Sequence, residues 1–186
     1  MKASLNASNG REAIYETISQ GDKNFGGLIA RMKSAAIDVI FFGGYHTEAA
    51  LLIRQARELG LTALMISGDA LVTDEFWKIS GPAGQDTIMI FGPDPRRHTS
   101  ALEVVEKFRA SGYDPQGYTL YTYAAVQVWV QAVNAARSFR VSDAARRMRE
   151  SVFGTVLGNL SFDAKGDRRD LDYVFYVWRN GRYYEL

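Results

Sequence analysis

Apolar and polar positions in the first half of the chain switch between two periods. Short runs rich in β-branched and aromatic residues, at 13–18, 38–42, 63–67 and 87–91, alternate with longer segments in which apolar residues recur every three or four positions. Extended runs buried in a parallel sheet, joined by helices packed against it, produce this alternation, so the pattern predicts βα units. Asn24 stands where it can cap a helix with Phe25, Leu28, Ile29 and Met32 on one stripe. Thr47 or Glu48 opens the next helix, which carries Leu52, Ile53, Ala56 and Leu59 and is stopped by Gly60. A short helix is expected over 74–79, ending at Gly81-Pro82. Ser100-Ala101-Leu102-Glu103 has capping-box spacing and predicts a helix running through Phe108 and stopping at Gly112.

The pattern changes after Gly117. Residues 118–136 carry alanines, aromatics and valines around most of a helical circumference, and a helix apolar on so many sides is expected to be buried. Another helix follows Ser142. Residues 172–178 and 183–186 flank Arg179-Asn180-Gly181-Arg182, where Asn-Gly is a strong hairpin signal. With no internal repeat and no low-complexity linker, the chain reads as an α/β lobe, a connection near Gly92-Pro93-Asp94-Pro95, then helices and a closing hairpin.

Composition narrows the function by exclusion. The 186 residues suit one mid-sized domain or two small lobes, and 47% hydrophobic with 23% charged residues is a globular composition. Lys plus Arg number 22 against 21 Asp plus Glu, so a net charge of +1 gives no long-range field to attract nucleic acid or an anionic membrane. Without cysteine there is no disulfide, thiolate nucleophile or Cys-ligated metal, although this leaves the compartment open. No apolar run reaches the length of a membrane span, and Met1-Lys2-Ala3-Ser4 does not lead into a signal-peptide core, so no export signal is expected in this chain. His46 and His98 lack a second ligand at helix-face metal spacing. No nucleophile elbow, phosphate loop or dinucleotide fingerprint is present. The expectation is a non-enzyme with no cofactor. Asp163, Asp167, Asp170 and Asp172 around Gly166 read as an acidic turn leading into a strand, and Arg146-Arg147-x-Arg149 as a solvated basic face. Asn159-Leu160-Ser161 is a glycosylation triplet of a kind that arises often by chance.

Position then supplies a candidate site. Ligands of open parallel sheets bind at the carboxyl ends of the strands. There, Phe42-Gly43-Gly44-Tyr45-His46 puts two glycines and an aromatic between strand and helix, and Ser67-Gly68-Asp69 places a carboxylate after the next strand. An aromatic face beside a carboxylate suits a small ligand carrying an ammonium group, through cation–π contact and a charge-assisted hydrogen bond. A purely structural reading is also open, in which Tyr45 covers the edge of the core and Asp69 caps the following turn.

Gly21-Asp22-Lys23-Asn24-Phe25, Ile37-Asp38-Val39-Ile40-Phe41-Phe42-Gly43-Gly44-Tyr45-His46, Gln55-Ala56-Arg57-Glu58-Leu59-Gly60 and Gly68-Asp69-Ala70-Leu71 together resemble the branched-chain amino-acid (Leu/Ile/Val) binding proteins of ABC transporters. Tyr121-Thr122-Tyr123-Ala124-Ala125 and Phe162-Asp163-Ala164-Lys165-Gly166-Asp167 continue that resemblance in the same order. It implies an α/β fold of type I periplasmic binding proteins, in which two lobes close on an amino acid like a hinged trap. This chain would supply a parallel-sheet βα C-lobe over 1–117 with its first strand missing. Helices belonging to the other lobe would follow over 118–162, and a return segment with the C-terminal β-hairpin over 163–186. The resemblance assigns Tyr45 to the aromatic beside the ligand, Asp69 to the acid that pairs with the α-ammonium, and Tyr118 to an aromatic near the hinge; Gly44 joins them as close-approaching backbone. Asp69 stands where some members carry Glu. The implied partners are a small-molecule amino acid and, in a full-length protein, an ABC permease, with a periplasmic location and no nucleic acid. A ligand-sensing regulator or receptor domain is the alternative use of the fold.

Family members are nearly twice this length, and the resemblance places Met1 inside a helix of the C-lobe. The hydroxyls and amides that hold the ligand carboxylate in the family have no counterpart, so binding by the chain alone is expected to be much weaker than that of an intact trap. The helix at 118–136 also lacks the sheet it covers in the family, which leads to the expectation of a homodimer exchanging the segment after Gly117.

Overall fold

Four-residue apolar runs with alternating burial form the parallel part of a sheet. The computed structural model describes residues 2–170 and 172–186. Its helices are α1 (Lys2–Ala7), α2 (Gly26–Ser34), α3 (His46–Glu58), α4 (Asp74–Ser80), α5 (Leu102–Ala110), α6 (Thr119–Ala136) and α7 (Val141–Glu150). The strands are β1 (Val39–Phe42), β2 (Leu64–Ser67), β3 (Ile88–Phe91), β4 (Phe153–Thr155), β5 (Gly158–Leu160), β6 (Val174–Arg179) and β7 (Arg182–Glu185). One sheet has the order β1-β2-β3-β6-β7, and β4 pairs with β5 separately. The chain divides into two compact units: the first runs to Phe91 and includes Phe175–Leu186, and the second is Gly92–Val174.

In the first unit β1, β2 and β3 run parallel, in register from Val39 opposite Leu64 to Phe42 opposite Ser67 and from Ile66 opposite Ile88. Their alternate residues Ile40, Phe42, Met65, Met89 and Phe91 are buried, as the two-residue side-chain period requires. Helix α3 adds Ala49, Ala50, Leu52, Ile53 and Ala56 to the buried set, and α4 adds Phe76. The segment before α2 is fastened to α3 by two polar side chains. Glu48 is buried, and its Oε1 accepts from Gly21 N at 2.8 Å. Gln55 accepts from Phe25 N at 2.9 Å and donates to Lys23 O at 2.8 Å. The expected helix therefore starts one step later than an Asn24 cap implies: Phe25 is the N-cap residue, while Asn24 Oδ1 accepts from Gly26 N at 3.0 Å.

Residues 13–18, expected as a strand, form none. A strand is defined by its neighbour, and β1 is the edge of the sheet with β2 as its partner. Without a ladder the backbone polar groups of 13–18 gain nothing from an extended register. Tyr15 is 69% exposed, and an ion pair between Glu16 and Arg31 links the segment to α2.

β6 and β7 form the expected hairpin, with Asn180 and Gly181 at φ of 49° and 81°. Paired positive φ values at the two central residues give the turn whose twist matches that of the strands. Trp178 anchors the hairpin in the first unit. Its ring is fully buried, its indole N–H donates to Leu71 O at 3.2 Å, and it stacks on Trp77 at 6.1 Å between centroids. Beside β3, Trp178 N donates to Thr87 O at 2.9 Å and Trp178 O accepts from Asp86 N at 2.8 Å.

The second unit is built on one stripe of α6. Leu120, Ala124, Val128 and Ala132 pack with Ala101, Val105, Phe153, Val156 and Leu160. Polar residues of α6 hold the β4–β5 hairpin: Gln127 Oε1 accepts from Val156 N and Gln131 donates to Gly154 O, both at 2.9 Å. The all-round burial expected of this helix is corrected, because Tyr123, Val126, Trp129 and Val130 are all at least 39% exposed. On that side the Phe108 ring meets Tyr123 edge-on at 6.3 Å between centroids, and the four side chains keep that exposure. The expected capping box is absent too. His98 Nδ1 caps the preceding 3-10 turn by accepting from Ser100 N at 3.3 Å, and Glu103 pairs with Lys107 at 2.5 Å instead of reaching back. The acidic turn forms as read, with Asp163 Oδ1 accepting from Gly166 N at 2.8 Å and Asp167 N at 2.9 Å.

Arg96 ties the entry of this unit together by binding Asp94 at 2.7 Å and also Asp114, which takes a further bond from Arg109 at 2.8 Å. Burial by itself would raise the Asp94 and Asp114 carboxyls. The hydrogen bonds and charge of Arg96, joined at Asp114 by Arg109, hold both below the usual carboxylate range.

Two outcomes are expected. Gly181→Ala places a Cβ at a φ of 81° and 3.3 Å from the Trp77 indole nitrogen. It should lower stability by about 1–2 kcal/mol in urea unfolding followed by tryptophan fluorescence; no change would mean that the turn is not fixed. Depressed carboxyls contribute stability at pH above their unfolded values and lose it as pH falls through the folded ones. Amide exchange around 94–114 should therefore accelerate below about pH 4, and Arg96→Met should abolish that step.

Candidate functional site

The carboxyl edge of the first unit is set by where two neighbouring parallel strands stop. Phe42 and Ser67 are the last register pair of β1 and β2, and the buried Ser67 hydroxyl donates to Phe42 O at 3.0 Å, so both strands end level. The connections leaving them emerge side by side. After Phe42 the chain passes Gly43 and Gly44 to Tyr45, the N-cap residue of α3, whose backbone is extended at φ −90°, ψ 163°. A Cβ on Gly44 would lie 2.8 Å from the ring of the buried Phe42. Backbone packed this tightly on an aromatic ring requires glycine. Tyr45 is 64% exposed, so its ring stands over the edge rather than in the core.

After Ser67, Gly68 is extended and Asp69 opens a 3-10 turn, Asp69–Leu71. The Asp69 side chain is exposed, makes no capping bond, and has no hydrogen-bond or ion-pair partner among the described residues. A carboxylate without a partner and an aromatic face thus occupy adjacent connections at one edge. This arrangement offers a cationic group a charge-assisted hydrogen bond and a π face.

Three of the residues expected from sequence, Gly44, Tyr45 and Asp69, belong to this edge. Tyr118 belongs to the second unit, where it is 47% exposed and lines an apolar groove of about 810 Å³ with Phe108, Tyr123, Val126 and Val130. One feature of the edge was not readable from spacing. His46 Nε2 lies 2.9 Å from Glu75 Oε2, joining the start of α3 to that of α4. The two residues are distant in sequence, and no local signal connects them. No group of three or more His, Cys, Asp or Glu among the described residues is placed to hold a metal ion. No helix among them is long and apolar enough to cross a membrane.

Comparison with known proteins agrees with this geometry at the level of family. A family model described as "Periplasmic binding protein" matches residues 1–182. The chain is 46% identical over 181 residues to the Leu/Ile/Val-binding protein homolog 1 of Brucella suis, covering 97% of this chain and 49% of that protein. It is 40% identical over 188 residues to an amino acid binding protein of Pseudomonas aeruginosa, covering 100% and 50% of the two. Among solved structures, a leucine binding protein of Thermotoga maritima superposes with a TM-score of 0.86 at 25% identity, over 99% of this chain and 53% of that one. The isoleucine-bound branched-chain amino acid transporter substrate binding protein of Streptococcus pneumoniae, at 23% identity and a TM-score of 0.79 over 97% and 53%, shows the same fold. The chain spans about half the length of the curated relatives it matches. Its matched residues, its parallel βα sheet and these relatives together establish that the chain belongs to the periplasmic binding protein family, alongside the Leu/Ile/Val-binding proteins.

Proposed function

We propose that this chain supplies the amino-recognising part of a substrate-binding component of an ABC importer for branched-chain or other neutral hydrophobic amino acids, acting on the periplasmic side and delivering to a permease. The observation that carries the reading is the unpartnered Asp69 carboxylate at the same strand edge as the exposed ring of Tyr45. An α-ammonium group loses water on binding and needs a negative partner, which Asp69 provides, while Tyr45 offers the face of its ring. Gly44 brings backbone close to the same edge. Relatives that bind leucine, isoleucine and valine by name support the substrate class. A regulator domain of the same fold has no particular observation in its favour.

The exposed stripe of α6 bears on how this chain exists in solution. Tyr123, Val126, Trp129 and Val130 form one side of the 18-residue helix, and side chains of this size left in water forgo several kcal/mol, at roughly 25 cal/mol per Å². A stripe of this kind is stabilised when another apolar surface covers it. For this chain alone we assign the role to a second copy, with the segment after Gly117 exchanged between the two.

Leucine titrated into labelled chain should shift the amides of Gly44, Gly68 and Asp69 saturably, with an affinity of about 1 mM, the strength expected of a site that engages the ammonium group alone. Asp69→Asn should weaken it by roughly ten- to 150-fold, the value of a hydrogen bond to a charged group. Absence of saturable shifts, or an unaffected Asp69→Asn, would overturn the assignment. Light scattering at tens of micromolar should give about twice the monomer mass of 20.8 kDa. A single species at the monomer mass would refute the dimer while leaving the ligand site standing.

A further inference from the structure

The turn between α6 and α7 presents two apolar side chains that nothing in the second unit covers. Phe139 and Val141 are each 84% exposed, the most exposed large apolar residues among the described residues. They sit in Arg137-Ser138-Phe139-Arg140-Val141, and the turn is held by bonds of its own. Arg137 adopts a left-handed conformation at φ 51° as it closes α6. The Ser138 hydroxyl accepts from Arg140 N at 3.1 Å and donates to Asp143 Oδ2 at 2.8 Å, and Asp143 N and Ala144 N both return to Arg140 O. A Phe held out on a turn organised in this way is a fixed protrusion.

The charge around it is one-sided. Residues 137–150 contain Arg137, Arg140, Arg146, Arg147 and Arg149 against Asp143 and Glu150, in a chain whose net charge is only +1. Both acids are engaged inside the helix, Asp143 with Arg146 at 3.4 Å and Glu150 with Arg147 at 3.7 Å. Arg137 and Arg140, which flank Phe139, are exposed and have no ion-pair partner among the described residues. The whole-chain charge conceals this patch because the remaining residues carry a small acidic excess.

We propose that the Arg137–Val141 turn is a docking site for an anionic phospholipid surface, with Phe139 and Val141 entering the interface and Arg137 and Arg140 pairing with lipid phosphates. Apolar side chains on a basic protrusion match the layering of such a surface, apolar beneath and anionic at the headgroups. An acidic protein face would complement the arginines equally well, but a two-residue apolar tip is small for a protein interface and suited to insertion between headgroups. The inference is independent of the amino-acid site, since the residues concerned lie in the second unit and take no part in that site.

The test is sedimentation of the whole chain with sucrose-loaded vesicles of phosphatidylglycerol and phosphatidylcholine in equal parts, and with vesicles of phosphatidylcholine alone. Binding is expected to the first and not the second, and to weaken as salt rises. Arg137→Gln combined with Arg140→Gln should reduce partitioning about 25-fold, about fivefold for each charge. Phe139→Ser and Val141→Ser should each reduce it several-fold. Equal binding to both vesicles, no binding to either, or variants that bind like the parent would overturn the proposal. So would polyglutamate that binds the chain and competes fully with the anionic vesicles without any effect of Phe139→Ser, because that result would make the patch an acidic-protein site. Because all four side chains are exposed, unchanged circular dichroism should accompany each variant. Leu160→Ala, a substitution in the core of the second unit, serves as the control for losses caused by unfolding rather than by the patch.

Discussion

A backbone that leaves water must find hydrogen-bond partners, and in the first unit this requirement decides which extended segments become strands. β1 and β2 satisfy each other from Val39–Leu64 to Phe42–Ser67. The level ending of those two strands determines which connections are neighbours, so Tyr45 and Asp69 share an edge because of the pairing that precedes them. The buried Ser67 hydroxyl, bonded to Phe42 O, reinforces the alignment at the last residue before the chains diverge. The same requirement leaves 13–18 irregular, since an apolar, β-branched composition cannot supply a partner strand.

Local chemistry was legible wherever one short segment contained the whole cause. The Asn180-Gly181 turn, the stop at Gly60 with its φ of 75°, and the Asp163 turn each depend on a few adjacent residues, and each is present. The edge glycine, tyrosine and aspartate could be found because open parallel sheets confine ligands to one side. What escaped sequence reading depends on residues far apart. The His46–Glu75 pair, the Glu48 bond to Gly21 and the fastening of β4–β5 by Gln127 and Gln131 all join distant segments. The capping box at Ser100 failed for a related reason: His98, two residues earlier, offered the turn a better-placed acceptor. The burial of α6 was overestimated because periodicity reports how many faces are apolar and not how many neighbours are present to cover them.

The two units differ in how they use polar side chains. In the first, Glu48 and Gln55 replace a helical turn by binding the backbone of residues 21–25, which converts a loop motif into part of the packing around α3. In the second, the Arg96 bridge between Asp94 and Asp114 draws the ends of the α5 region together by charge. The first device sets side-chain acceptors against backbone N–H groups, and the second sets two carboxylates against a guanidinium.

The bond from the Trp178 indole to Leu71 O closes a loop of 107 residues. During synthesis, the first unit's five-stranded sheet lacks β6 and β7 until residues 174–185 have left the ribosome, although β1, β2 and β3 emerge much earlier. The second unit is continuous and can close on itself in the interval. Contacts of such long sequence separation form late and slowly. Nascent chains should therefore expose the surface that Trp178 covers until residues 174–185 have emerged, and a chaperone that recognises aromatic and apolar segments would find Leu71, Phe76 and Trp77 accessible in that interval.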